Sequence, residues 1–254
     1  MSSYDHRTHA ANAGDVWKHF LLMEVADYCL HNCDGLSYAE SHVGRPDYAL
    51  SIPGEWETGL GRCWQHLPDL QKFLFFRILA DLNRQGLRLY PGSARLVLEA
   101  SRIQGQRLSA DLWDIDPGVA SSWDEAPVAS FQEVRFHRGD GFSGVFELLD
   151  VSFGGLLLVD PPHLDPASAL LAERLLGRAE ERGWVALLWE MMGERTSPEC
   201  NFEAYELEFK GAGLSCGRWA GAVVSLAGAD GALRQRLRRR IEMFLKIMRP
   251  TGTF

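Results

Sequence analysis

Apolar positions first recur at helical spacing near residues 15–31, where Trp17, Leu21, Val25 and Tyr28 form a stripe and Asp15 is a candidate cap. A short strand, LSYAES at 36–41, follows and runs into SHVGRPDY. Residues 50–86 change character. WETGLGRCWQ and PDLQKFLFFRILADLNRQG predict two helices, the second opened by Pro68, striped by Leu70, Leu74, Ile78 and Leu82, and ended by Gly86.

Beyond LRLYPGS (87–93), strand and helix patterns alternate. Strands are predicted at 107–114, 133–137, 155–160, 184–190, 205–209 and 222–226, and helices near 94–103, 142–150, 166–181 and 231–248. GLLLVD and WVALLWE are continuous apolar runs, as strands buried on both faces of a parallel sheet require. YELEF alternates, which suits an antiparallel edge strand. The expected fold is α/β: a Rossmann-like, mostly parallel sheet with an antiparallel strand near its C-terminal end, plus two helices that make either a small inserted subdomain or a long crossover. Residues 1–254 are expected to form one domain, with the helical insertion at about 50–90.

Composition narrows the class. Hydrophobic residues make up 46% of the 254 and charged residues 24%, which suits a folded protein. No apolar run approaches the roughly 18 residues of a membrane span, and MSSYDHRTHA lacks the apolar region of a signal peptide. Five cysteines, an odd number, argue against a disulfide framework and for a reducing, cytoplasmic setting. Net charge −8 excludes a generally basic coat but not a basic face. Arg234, Arg236, Arg238, Arg239, Arg240, Lys246 and Arg249 crowd the last helix beside its stripe of Leu233, Leu237, Ile241, Phe244 or Leu245, and Met248. Solvated face and phosphate contact are equally open readings of that run.

In a parallel sheet, ligands bind outside the carboxyl ends of the strands. Those ends offer His42, then Asp114 and Asp116, then Asp140-Gly141, then Asp160-Pro161-Pro162-His163. Two prolines stiffen the exit of the fourth strand and can hold the Asp160 carboxylate and nearby carbonyls as a rigid acceptor set. An exocyclic nucleobase amine is a poor nucleophile, because its lone pair is delocalised into the ring. Acceptors for its hydrogens favour a pyramidal nitrogen, and a flat side chain after the prolines can stack on an extruded base. The bland alternative is a strand that simply turns into a loop. His6, His9 and His19 lack a fourth metal ligand at recognisable spacing, and Cys29 with Cys33 is no Cys-x-x-Cys.

The segments YDHRTHAANAGDVWKHFLL, SHVGRPDY, TGLGRCW, YPGS, GDGF and VDPPH together resemble the RlmJ-type 23S ribosomal RNA (adenine-N6)-methyltransferase family, of which this chain looks like a divergent member. The resemblance implies S-adenosylmethionine as methyl donor, and Lys18, His19, His42, Ser93, Asp114, Asp140, Gly141 and Asp160 as its lining. It implies Asp160 with Pro161, Pro162 and His163 as the catalytic segment, and Tyr4, His6 and His163 on the substrate side. Ribosomal RNA, protein-free or in an early assembly intermediate, is the implied partner of a monomer that needs neither metal nor membrane. Three departures stand out. The family's His-Ala-Gly-x-Gly loop reads His42-Val43-Gly44-Arg45-Pro46, its tyrosine after Asp-Pro-Pro is His163, and its second-strand glutamate is Asp114. The alternative is a catalytically degenerate relative that binds RNA or a protein partner. DNA in place of RNA also stays open.

Overall fold

A computed structural model describes residues 9–192, 202–217 and 219–249. In chain order its main elements are α1 (Ala13–Asn32), β1 (Leu36–Glu40), β2 (Asp47–Ala49), α2 (Leu60–Trp64), α3 (Leu67–Leu70), α4 (Leu74–Leu82), β3 (Leu89–Pro91) and α5 (Ser93–Gln104). Then follow β4 (Leu108–Asp114), α6 (Pro117–Asp124), β5 (Gln132–Arg138), α7 (Gly141–Val151), β6 (Gly155–Val159), α8 (Pro166–Glu181), β7 (Trp184–Met191), β8 (Glu203–Glu208), β9 (Gly221–Ala227) and α9 (Gly231–Met248).

Seven strands form one sheet in the order β5-β4-β1-β6-β7-β9-β8. β5, β4, β1, β6 and β7 are parallel, while β9 pairs antiparallel with both β7 and β8. The alternating strand does lie at the edge, as β8, but the one reversed against the sheet is its neighbour β9. The sheet is the α/β architecture the chain pattern predicts.

Alternation sorts the core onto two faces. Leu36 and Tyr38 of β1, and Leu156 and Leu158 of β6, pack with α1, α5 and α9. Ala39, Leu157 and Val159 pack with α7 and α8. On the first face an aromatic cluster ties α1 to α9 and to the insertion: Phe20 lies 4.8 Å from Phe244 and 5.1 Å from Phe73.

Three local expectations are corrected. Asn12, not Asp15, caps α1, accepting from the Asp15 amide at 3.0 Å. The segment after Pro68 is not one helix: Phe73 is extended, splitting it into α3 and α4. Tertiary contacts override its helical stripe there, since Arg240 takes the Lys72 carbonyl at 3.1 Å and lies over the Phe73 ring at 4.3 Å. An unforeseen two-stranded antiparallel sheet brackets these helices, in which β2 pairs with β3 as Tyr48 opposite Tyr90.

The direction of the elements sets up the site. α1 feeds β1 through three residues, so it runs back against the strand. Its first turns therefore lie at the carboxyl edge of the parallel strands. The order of strands reverses between β1 and β6, which puts a crevice at that edge.

Candidate functional site

Each parallel strand delivers a polar group to this edge. β1 ends in Glu40, which is fully buried. Its two carboxylate oxygens accept from Tyr38 Oη at 2.6 Å and from Ser93 Oγ at 2.5 Å, at the start of α5. Burial pushes the Glu40 acid up to about 8 even though both hydrogen bonds pull the other way. Asp160 follows β6, next to Glu40 across the reversal point.

Lys18 comes down from α1 onto this pair. Its Nζ lies 2.6 Å from Asp160 Oδ2, 3.1 Å from Asp15 Oδ1 and 4.9 Å from the centre of the Trp189 ring on β7. Burial alone would favour the neutral amine, but the two carboxylates outweigh it and hold the ammonium well above the ordinary lysine range. Asp160 Oδ1 accepts no hydrogen bond among the described residues.

His42, half-buried, joins the remaining carboxylates. Burial lowers its pKa, an effect that the negative charges of Asp160, Asp114 and Asp140 oppose. The ring bonds Ser41 Oγ through Nδ1 at 2.8 Å and meets Phe142 edge-on at 4.9 Å. Asp114 accepts from the amides of Asp116 at 2.8 Å and Gly44 at 3.3 Å. Gly44 holds φ +62, the left-handed turn that glycine adopts without strain. Asp140 caps α7, and its bonds from Ser143 hold its carboxyl below the usual range. Gly141 has no room for a side chain: a Cβ would stand 1.6 Å from the Ser41 carbonyl oxygen. The loops after β1 and β5 thus close directly on each other.

The carboxyl edge of the parallel strands thus gathers several carboxylates, one buried ammonium and one half-buried imidazole. The comparison that decides the family is with proteins of known sequence. Residues 34–170, more than half of the chain, match the family described as ribosomal RNA large subunit methyltransferase D, RlmJ. The chain belongs to the RlmJ family. It is 31% identical over 175 residues to ribosomal RNA large subunit methyltransferase J of Haemophilus influenzae, and 32% identical over 180 residues to that of Escherichia coli. Each match covers 64% of this chain and 60% of the relative. The crystal structure of protein LPL1258 from Legionella pneumophila has the same fold, with a TM-score of 0.77 over 96% of both chains at 20% identity. The sheet is accordingly Rossmann-like, with its antiparallel strand near the C-terminal end.

Of the residues that the RlmJ resemblance nominates, Lys18, His42, Asp114, Asp140, Gly141 and Asp160 gather at the crevice, and Ser93 reaches it through Glu40. His19 does not join them directly. It is turned into the core, stacked on Tyr90 at 5.4 Å and bonded to its hydroxyl at 2.6 Å. Pro161 is buried, while Pro162 and His163 are exposed at the rim. Tyr4 and His6 lie outside the described residues. Asp116, offered by the strand-end reading, caps α6 through the amides of Gly118 and Val119. Arg45 and Pro46, the two departures in the loop after β1, are bonded to the segments beside them: Arg45 N donates to Tyr48 Oη at 2.9 Å, and Pro46 O accepts from Gly92 N at 2.8 Å.

Sequence reasoning passed over Glu40, Asp15 and Trp189. An acid as the last residue of a buried strand was the available signal for Glu40. The Asp15–Lys18 spacing of three on a helix was the signal for their pairing. Nothing in WVALLWE distinguishes Trp189 from its apolar neighbours. The basic run of α9 is mostly spent inside the molecule. Arg236 and Arg240 pair with the buried Glu24, and Arg234 and Arg238 with Glu203.

Proposed function

We propose that this protein transfers a methyl group from S-adenosylmethionine to the N6 amine of an adenine in RNA, most specifically 23S ribosomal RNA. The open oxygen of Asp160 carries this proposal. Lys18 fixes the carboxylate through Oδ2 at 2.6 Å, leaving Oδ1 as an acceptor on a backbone stiffened by two prolines. An amine N–H donating to Oδ1, with the Pro161 carbonyl assigned as the second acceptor, brings the nitrogen lone pair out of conjugation. The same carboxylate absorbs positive charge as it develops on the nitrogen. Because Lys18, itself held by Asp15, fixes it beforehand, little reorganisation is needed at the moment of reaction. The exposed His163 supplies a flat ring against which an extruded base can stack. Tyr4 and His6 are assigned to the substrate side.

The donor set suits S-adenosylmethionine. The negative charges of Asp160, Asp114 and Asp140, which act together on the half-buried His42, suit a sulfonium cation. Asp114 at the tip of β4 retains acceptor capacity for a ribose diol. Lys18, His42, Ser93, Asp114, Asp140, Gly141 and Asp160 are the residues that would hold it, with His19 supporting them from the core. When bound, S-adenosylmethionine supplies a methyl group already activated by its sulfonium charge.

RNA is chosen over DNA because both relatives are named as ribosomal RNA methyltransferases. The test is transfer of a radiolabelled methyl group to protein-free 23S ribosomal RNA and, in parallel, to DNA of matching sequence. Label in RNA alone is expected. Label in DNA alone, or in neither, overturns the proposal.

A further inference from the structure

The cations of α9 that are not consumed internally fall on one side of the helix. Arg239, Lys246 and Arg249 have no carboxylate partner among the described residues, whereas Arg234, Arg236, Arg238 and Arg240 all do. Lys246 and Arg249 line a groove of about 700 Å³, together with Met243 of α9 and with His66, Asp69 and Lys72 of the insertion. Lys72 also lacks a carboxylate partner among the described residues. Its backbone is pinned to α9 by Arg240, which takes the Lys72 carbonyl at 3.1 Å. The two walls of the groove are therefore fixed relative to each other. In a chain of net charge −8, three cations and one histidine face a single carboxylate here.

The groove also lies at the working edge of the sheet. β9 runs opposite to β7 and ends beside Ala186, at the start of that strand. α9 begins there, with Tyr28 Oη near the far end of α1 bonded to its cap Asp230 at 2.8 Å. Eighteen helical residues, about 27 Å, then carry the chain back, so Lys246 and Arg249 emerge at the carboxyl edge of the parallel strands.

We propose, on the reading that RNA is the substrate, that this groove seats the sugar–phosphate backbone flanking the target adenine, with Lys72, Lys246 and Arg249 each taking a phosphate. Neutralising a phosphate releases its condensed counterions, so these contacts set how steeply affinity falls with salt. The experiment is binding of protein-free 23S ribosomal RNA across a potassium chloride series. The triple variant Lys72→Gln/Lys246→Gln/Arg249→Gln is compared with Arg174→Gln/Arg178→Gln on α8, which packs on the opposite face of the sheet. For single-stranded phosphates the slope of log affinity against log salt should flatten by about 2 in the groove variant and stay unchanged in the α8 variant. Asp69→Asn should tighten binding. An unchanged slope in the groove variant, or equal flattening in both, overturns the groove even if the wild-type protein methylates RNA. A wild-type protein that neither binds nor methylates RNA overturns the substrate reading beneath it as well.

Discussion

Lys18 Nζ stands 2.6 Å from Asp160 Oδ2, although 142 residues separate them in sequence. The contact ties the first helix to the tip of the fourth parallel strand, and it fixes which oxygen of Asp160 is left open. Lys18→Met removes the ammonium that pairs with both Asp15 and Asp160 and leaves the two carboxylates without it. Breaking a buried pair in this way costs about 3 kcal/mol, the lower end of the usual range, because both acids keep some contact with solvent. Urea denaturation should record that loss, and methyl transfer should fall with it.

Asp114 is the acid proposed above to hold the ribose hydroxyls of S-adenosylmethionine. Removing hydrogen bonds to a charged acceptor typically costs about 1.5–3 kcal/mol, a 10- to 150-fold change in affinity. Calorimetry should show Asp114→Ala binding S-adenosylmethionine that much more weakly than the wild-type protein. Equal affinity removes Asp114 from the cofactor site.

Two buried groups give opposite pH slopes. Burial, followed by the Lys18 charge, lowers His19 to about 3, so the unfolded chain takes up a proton near pH 6.5 that the folded chain refuses. This contribution is present above pH 6.5 and is lost as pH falls toward 3. Burial raises Glu40 to about 8 against an ordinary value of 4.5, so its contribution is present below pH 4.5 and is lost as pH rises through 8. In chemical denaturation at stepped pH, His19→Asn should shallow the acid limb. Glu40→Gln should remove the decline between pH 4.5 and 8. A Glu40→Gln profile parallel to wild type contradicts the neutral acid.

The sheet was legible because buried parallel strands announce themselves as apolar runs, and the ends of GLLLVD and RLSADLWD pointed at Asp160 and Asp114. What the chain pattern hid were contacts between distant segments. Arg240 breaks the helix after Pro68 by holding Lys72 and Phe73, and nothing local to PDLQKFLFF signals it. The same applies to the α9 arginines, whose partners Glu24 and Glu203 lie far away in sequence. His19 reads as a site residue beside Lys18, yet one step around the helix turns it toward Tyr90 instead.

Arg240 is therefore expected to matter for stability and Arg239 not to. Arg240 bonds both oxygens of Glu24, which is 1% exposed, and caps the Phe73 ring. Arg240→Ala should cost about 3 kcal/mol by urea titration, the lower end of the range for broken buried pairs, because Arg236 still pairs with Glu24. Arg239→Ala, on the exposed side, should stay within about 0.5 kcal/mol of wild type.

The central proposal is the role of Asp160 toward an adenine amine. The most direct measurement is mass spectrometry of nucleosides digested from protein-free 23S ribosomal RNA after incubation with S-adenosylmethionine and either the wild-type protein or Asp160→Asn. Wild type should yield N6-methyladenosine, and the folded variant should yield at least about 100-fold less, the loss typical of one preorganised electrostatic group. A methylated base other than adenine, or equal N6-methyladenosine from both proteins, would contradict that role.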